Sequence, residues 1–146
     1  SATRAINEPL QLKYRKLNVT AVSMGNPHAV VLADDARIDI DEFDIEELGK
    51  EIENHRVFPK RANVEFVHLI GNAEIELRVW ERGVGETLAC GTGACASVVA
   101  SALNGRTSRK VKVGLRGGEL MVEWAKDNHV YLTGPATYVF SGVFAV

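Results

Sequence analysis

No stretch of this 146-residue sequence stays apolar for anything near the ~20 residues of a membrane-spanning helix, and nothing at its start has the pattern of a signal peptide. A cytoplasmic protein is the expectation. Cysteine is scarce: Cys90 and Cys95 are the only two, too few for a disulfide framework, so both are expected as reduced thiols. The four histidines are scattered without paired ligand spacing, and no metal site is expected. Charge of neither sign prevails. With 17 Lys and Arg against 19 Asp and Glu, the formal net charge of -2 predicts neither a nucleic-acid nor a membrane partner and points to a small molecule. A Gly-Lys-Ser/Thr phosphate loop is missing. Gly91, Gly93 and Ala96 match G-x-G-x-x-A, but no strand immediately precedes them and no acid stands about 20 residues on, so no dinucleotide cofactor is expected. Repeats and low-complexity tracts are absent, and the basic RTSRKVKVGLR reads as strand and turn surface.

What is present fits one domain over residues 1–146, since 46% hydrophobic content in a chain of this length can bury a core. Period-2 alternation marks about eight short strands: KYRKLNVTAVSM, HAVVLADD, ANVEFVHLI, AEIELRVWER, RKVKVGL, ELMVEWA, HVYLTG and TYVFSGVFAV. Gly71-Asn72, Gly117-Gly118 and the Lys126-Asp127-Asn128 turn carry hairpin chemistry, which favours antiparallel neighbours over parallel crossovers. SATRAINEP is read as loose. The chain opens with Ser-Ala-Thr rather than Met, which leaves room for a processing site or a cut inside a longer protein.

Two segments depart from the alternation. DIDEFDIEELGKEIENH has Phe43, Ile45, Leu48 and Ile52 at helical spacing, with acids toward its start: an amphipathic surface helix despite Gly49. Its acids read as a solvated face, because the glycine and glutamate of a calcium loop are missing. From Ala94 to Leu103 every residue is apolar or small, and Asn104-Gly105 ends the run. Such a helix must be buried all round. The predicted fold is therefore α+β, a rolled, mostly antiparallel, barrel-like sheet around a central apolar helix.

With Gly91 or Thr92 as the cap of that helix, Cys90 falls just before its first turn, where free backbone N–H groups and the positive end of the helix dipole point outward. A carboxylate can rest on the N–H groups of Gly91, Thr92 and Gly93, the glycines removing side chains that would block its approach. The same field is expected to lower the pKa of the thiol. Cys95, a turn inside the apolar helix, reads as core. In AEIELRVWER, Ile75, Leu77 and Val79 share one face while Glu74, Glu76 and Arg78 share the other, and Glu81 continues the apolar face as a carboxylate at inward parity. Arg82 beside it offers a bidentate grip on a carboxylate. Asn26 precedes a proline and is extended, His28 heads an apolar strand, and Asn63 leads into another with its parity undecided.

MGNPHAVV, FPKRANVEFV, VWERGVGETLACGTGACA and the GLRGGELMVEW hairpin resemble, in this order, the C-terminal half of the diaminopimelate epimerase family. The resemblance implies two similar domains, each a rolled sheet around a central helix, with the active site between them. It implies interconversion of LL- and meso-diaminopimelate, for lysine and peptidoglycan synthesis, without pyridoxal phosphate, metal or other cofactor. By motif, Cys90 would be one of two catalytic thiols. Gly91 and Thr92 would supply N–H groups to the substrate carboxylate, Glu81 and Arg82 would contact its amino and carboxylate groups, and Asn26 and Asn63 would add polar contacts. His28 and Glu81 would tune the thiols. Many relatives have serine in place of Thr92, which leaves the backbone donors intact.

Inverting a carbon centre needs a base on one face and an acid on the other. Cys95 cannot be the second group, for five helical residues place it about 7.5 Å along and some 140° round from Cys90. The second thiol, on this resemblance, belongs to an N-terminal domain absent from the sequence, so the chain is expected to be inactive alone; the resemblance leaves room for a homodimer. Within the resemblance, another amino-acid racemase or epimerase of the same fold stays open, and so do two other classes of function: a cysteine hydrolase or transferase using Cys90 with His28, and a non-catalytic binding module for amino acids or cell-wall peptides.

Overall fold

The structure is a computed structural model and describes residues 5–146. Its strands are β1 (Glu8–Gln11), β2 (Lys16–Ser23), β3 (Pro27–Leu32), β4 (Asn63–Gly71), β5 (Glu74–Glu81), β6 (Gly85–Thr87), β7 (Lys110–Leu115), β8 (Gly118–Trp124) and β9 (Val130–Thr133). The helices are α1 (Ala33–Ala36), α2 (Ile45–Glu53) and α3 (Gly91–Leu103). All nine strands form one mixed sheet in the order β1-β2-β3-β4-β5-β7-β8-β9, with β6 paired to the end of β5.

The α+β class, the central helix and all three hairpin joints agree with the sequence. The sheet, however, is not closed, and two of its pairs, β3 with β4 and β5 with β7, are parallel. Parallel neighbours need a long crossover, and the two longer helices supply it: α2 lies between β3 and β4, and α3 between β5 and β7. Each helix is thus delivered to a face of the sheet.

Strand parity keeps the faces apart. Ala29 and Val31 of β3, Val64 and Phe66 of β4 and Trp80 of β5 join one core with Ile45 and Ile52 of α2. Val30 and Leu32, Val67, and Ile75, Leu77 and Val79 join the other, with Ala94, Ala96, Val98 and Ala100 of α3. The polar face expected for β5 is open at Glu76 but covered toward the strand's end, where Arg78 and Trp80 are buried on the α2 side. Helix α3 touches β2 through β5 and β7 through β9, so the sheet curls round it, and Gly93 through Ser101 are buried without interruption. Gly49 has its explanation here: a Cβ at that position would lie 2.8 Å from Trp80 Cβ, so a side chain would displace the indole from α2.

The ends depart furthest from expectation. Glu8 and Pro9, assigned to the loose start, lie in β1, while residues 1–4 fall outside the described part. TYVFSGVFAV forms no strand; residues 134–146 have no regular element, and Tyr138, Val139, Phe140, Val143, Phe144 and Val146 are exposed. Alternation shows that a segment suits a pleated surface, but pairing requires a neighbour, and none is placed beside it. Among the described residues no helix is long and apolar enough to cross a membrane.

Candidate active site

Cys90 is itself the N-cap of α3, in place of Gly91 or Thr92. Its backbone is extended (φ -142°, ψ 110°), its carbonyl accepts from Ala94 N–H at 2.9 Å, and its Sγ accepts from Gly93 N–H at 3.4 Å. Cysteine is a poor capping residue beside Ser, Asp or Asn, so the position is filled by a thiol against the capping preference. The N–H groups of Gly91 and Thr92, at the first two helical positions, are left pointing outward.

Gly93 has a different use from the one expected. A Cβ there would stand 2.8 Å from Glu65 Oε1 and 3.2 Å from Cys90 Sγ. The missing side chain makes room for the protein's own carboxylate and sulfur rather than for an incoming ligand. Glu65, the third residue of β4 and completely buried, was not singled out from the sequence. Its signal was available: an acid between the apolar Val64 and Phe66.

Four of the expected residues come together through Glu65. Glu65 Oε1 lies 2.6 Å from His28 Nδ1, His28 Nε2 lies 3.1 Å from Asn26 Oδ1, Asn26 Nδ2 donates to Thr92 Oγ1 at 3.3 Å, and Thr92 Oγ1 lies 3.7 Å from Cys90 Sγ. The register that aligns His28 of β3 with Asn63 at the start of β4 places Glu65 two residues further on, opposite Val30. A second pair of polar contacts runs alongside. Asn63 donates from Nδ2 to the Pro27 carbonyl at 3.2 Å and accepts Arg82 N–H on Oδ1 at 2.9 Å, which ties the head of β3 to the turn after β5. Arg82 Nη1 donates to the Lys60 carbonyl, and Glu81 Oε1 accepts from the Thr87 hydroxyl at 2.6 Å. A Cys90–His28 nucleophile–base pair is not formed, since both ring nitrogens of the buried His28 face Glu65 and Asn26.

The electrostatics reverse one expectation. Burial pushes the Cys90 thiol up from its ordinary pKa; the Gly93 N–H and the Thr92 hydroxyl pull the other way, and the carboxylates of Glu81 and Glu65 add to the rise. The helix end is real, but the desolvation of a half-buried sulfur outweighs it. Burial also raises the Glu65 carboxyl to about 7 against the pull of His28, with Glu81 adding to the rise. Cys95 is pushed up by burial as well and lies in the core around α3. Cys90 is half-buried on an open rim; the largest cavity described, about 850 Å³, lies instead beside α2 and is lined by Glu53, Arg61 and Trp80 among others. Among the described residues no three His, Cys, Asp or Glu side chains cluster as metal ligands.

The family model for diaminopimelate epimerase matches residues 20–139, a span that holds every residue of this site. The chain belongs to the diaminopimelate epimerase family. It is 54% identical over 137 residues to a diaminopimelate epimerase of Leptospira biflexa, covering 94% of this chain and 48% of that protein. A diaminopimelate epimerase of Methanococcus maripaludis is 53% identical over 138 residues, again 94% of this chain and 48% of the relative. The chain thus spans about half the length of the relatives it matches. Among solved structures, a probable proline racemase from Agrobacterium radiobacter superposes with a TM-score of 0.64 at 13% identity, over 81% of this chain and 41% of that one. A hydroxyproline epimerase from Agrobacterium vitis gives 0.60 at 15% identity, over 81% and 40%. At such identities the likeness is one of fold.

Proposed function

We propose that this chain supplies one of the two thiols of a cofactor-independent amino-acid epimerase that interconverts LL- and meso-diaminopimelate for lysine and peptidoglycan synthesis. The observation that carries the reading is the half-buried sulfur of Cys90 on an open rim, held at the N-cap of α3 by Gly93 N–H beside outward N–H groups. A substrate carboxylate placed on Gly91 and Thr92 N–H would bring its α-carbon beside that sulfur. Glu81 and Arg82 would take the amino and carboxylate groups, and Asn26 and Asn63 would add polar contacts. His28 and Glu81 would tune the sulfur.

Inversion requires that one thiolate remove the α-proton while a thiol on the opposite face returns another. Cys95 is buried inside the domain, so the second thiol must come from a second domain that corresponds to the unmatched half of the relatives. The domain by itself is then inactive. The experiment joins the two halves and follows wash-in of deuterium at the α-carbon by NMR. Exchange should appear only when both are present and should vanish in Cys90→Ala; ordinary turnover in that variant would sink the proposal.

A further inference from the structure

The contacts from Glu65 to Cys90 have a direction, and one proton sets it. Suppose that the Glu65–His28 pair holds two hydrogens, one between Glu65 Oε1 and His28 Nδ1 and one on Nε2. The first sits on oxygen in a neutral pair or on nitrogen in an ion pair; in either case Nε2–H donates to Asn26 Oδ1. Asn26 then donates from Nδ2 to Thr92 Oγ1, whose own hydrogen is free to point at Cys90 Sγ. Remove one of the two hydrogens, so that Nδ1–H faces a carboxylate and Nε2 carries a lone pair. Asn26 must turn its amide group to donate to Nε2, Thr92 must donate to Asn26, and no hydrogen faces the sulfur.

The surroundings favour the first state. Among the described residues Glu65 Oε2 is buried with no hydrogen-bond partner, a poor setting for a full negative charge. The groups that face Glu65 are His28 from β3, Glu81 from the end of β5 and Cys90 from the mouth of α3; burial raises the Glu65 pKa, Glu81 adds to the rise and His28 pulls the other way, while the charge of Glu65 raises the Cys90 thiol.

We propose that Glu65 is a positioning residue for Cys90: by keeping a second hydrogen on the Glu65–His28 pair, it makes Asn26 and then Thr92 present their hydrogens toward the sulfur, so that the Thr92 hydroxyl donates to the thiolate. As a contribution to catalysis, the inference rests on the epimerase reading above; as a statement about the sulfur, it is testable in the 146-residue chain alone.

The rate of Cys90 alkylation by iodoacetamide, followed against pH and read peptide by peptide, reports its thiolate. Glu65→Gln keeps the volume, and its amide can donate to His28 Nδ1, which leaves the hydrogen on Nε2 as a protonated Glu65 does; Glu65→Leu has no donor and does not set the tautomer. Glu65→Leu should slow alkylation near neutral pH, by up to about fivefold for the loss of one hydrogen bond to the thiolate, and Glu65→Gln should keep the rate. Thr92→Ala should slow it about fivefold and Thr92→Ser should not, and adding Glu65→Leu to Thr92→Ala should do nothing further. An unchanged profile in Glu65→Leu, or independent losses in the double variant, overturns the proposal. If Glu65→Leu does not fold, nitrogen-15 NMR of His28 in the unaltered chain still decides: Nε2 should carry a hydrogen at neutral pH, and a bare Nε2 overturns the proposal. Failure of deuterium exchange in the joined halves, with these results intact, would count against the epimerase reading alone.

Discussion

Two glutamates are buried in this domain, one belonging to each side of the sheet, and they are treated differently. Glu53, at the end of α2, has both oxygens answered: Oε1 accepts from Gly83 N–H at 2.8 Å and Arg61 at 3.1 Å, and Oε2 accepts from the Trp80 indole at 2.9 Å. Glu65, behind α3, has one partner for Oε1 and none for Oε2. A carboxylate met on every side by donors serves as a clamp. One that is buried and half-answered keeps its proton in play, and it stands beside the thiol.

The largest expected effect breaks the settled side. Glu53→Ala leaves the Trp80 and Gly83 N–H groups without acceptors and should lower unfolding stability by about 3 kcal/mol, read as a fall in the urea midpoint, with Cys90 alkylation unchanged. A comparable shift of the alkylation profile would erase the distinction between the two acids. Gly93→Ala attacks the other side: its methyl group collides with Glu65 Oε1, and a loss of roughly 2 kcal/mol with altered Cys90 reactivity is expected, measured by the same two assays.

The pH dependence of stability separates the acids without a steric change. A carboxyl with its folded-state pKa raised from 4.5 to about 7 makes a proton-linked contribution that is full below pH 4.5, falls as the pH rises, and is gone above about 7. Stability attributable to Glu65 should therefore decline across that window by roughly 1–3 kcal/mol, and Glu65→Gln should flatten the decline in urea titrations. A decline that persists in the variant would assign it to other groups.

The two long helices sharpen the comparison at their caps. Asp44 caps α2 with its carboxylate on Glu47 N–H at 3.0 Å, and Asp44→Ala should remove about 1 kcal/mol. Cys90→Ser, by contrast, puts a better capping group on α3 and should leave stability equal or higher by a few tenths of a kcal/mol, read as an unmoved or slightly raised urea midpoint, while abolishing exchange in the joined halves. That pair of outcomes would mark Cys90 as kept for its sulfur rather than for capping.

Much of this was legible from local pattern. The apolar ring of α3, the amphipathic face of α2 and the three hairpin turns are properties of neighbours in sequence, and Cys90 was conspicuous at the head of a helix with no polar face. What escaped depends on contacts between distant residues. Alternation in β3, β4 and β5 could not show that they join as parallel crossovers, so the burial of Arg78 and Trp80 beneath α2 was missed. Glu65 escaped because its meaning lies in a register that sets it near His28, residues apart in the chain but adjacent in the sheet. Asn63 was seen without a face; its amide proves to bind backbone on both sides. The last segment had strand periodicity and no partner.

Helix α3 lies against β2 near one edge of the sheet and against β9 at the other. Contacts of such sequence separation close late in folding, because the loops they complete are long. The environment of Cys90 therefore matures only when the whole sheet is in place, and the time course of its alkylation during refolding would mark the last step of assembly rather than the first collapse.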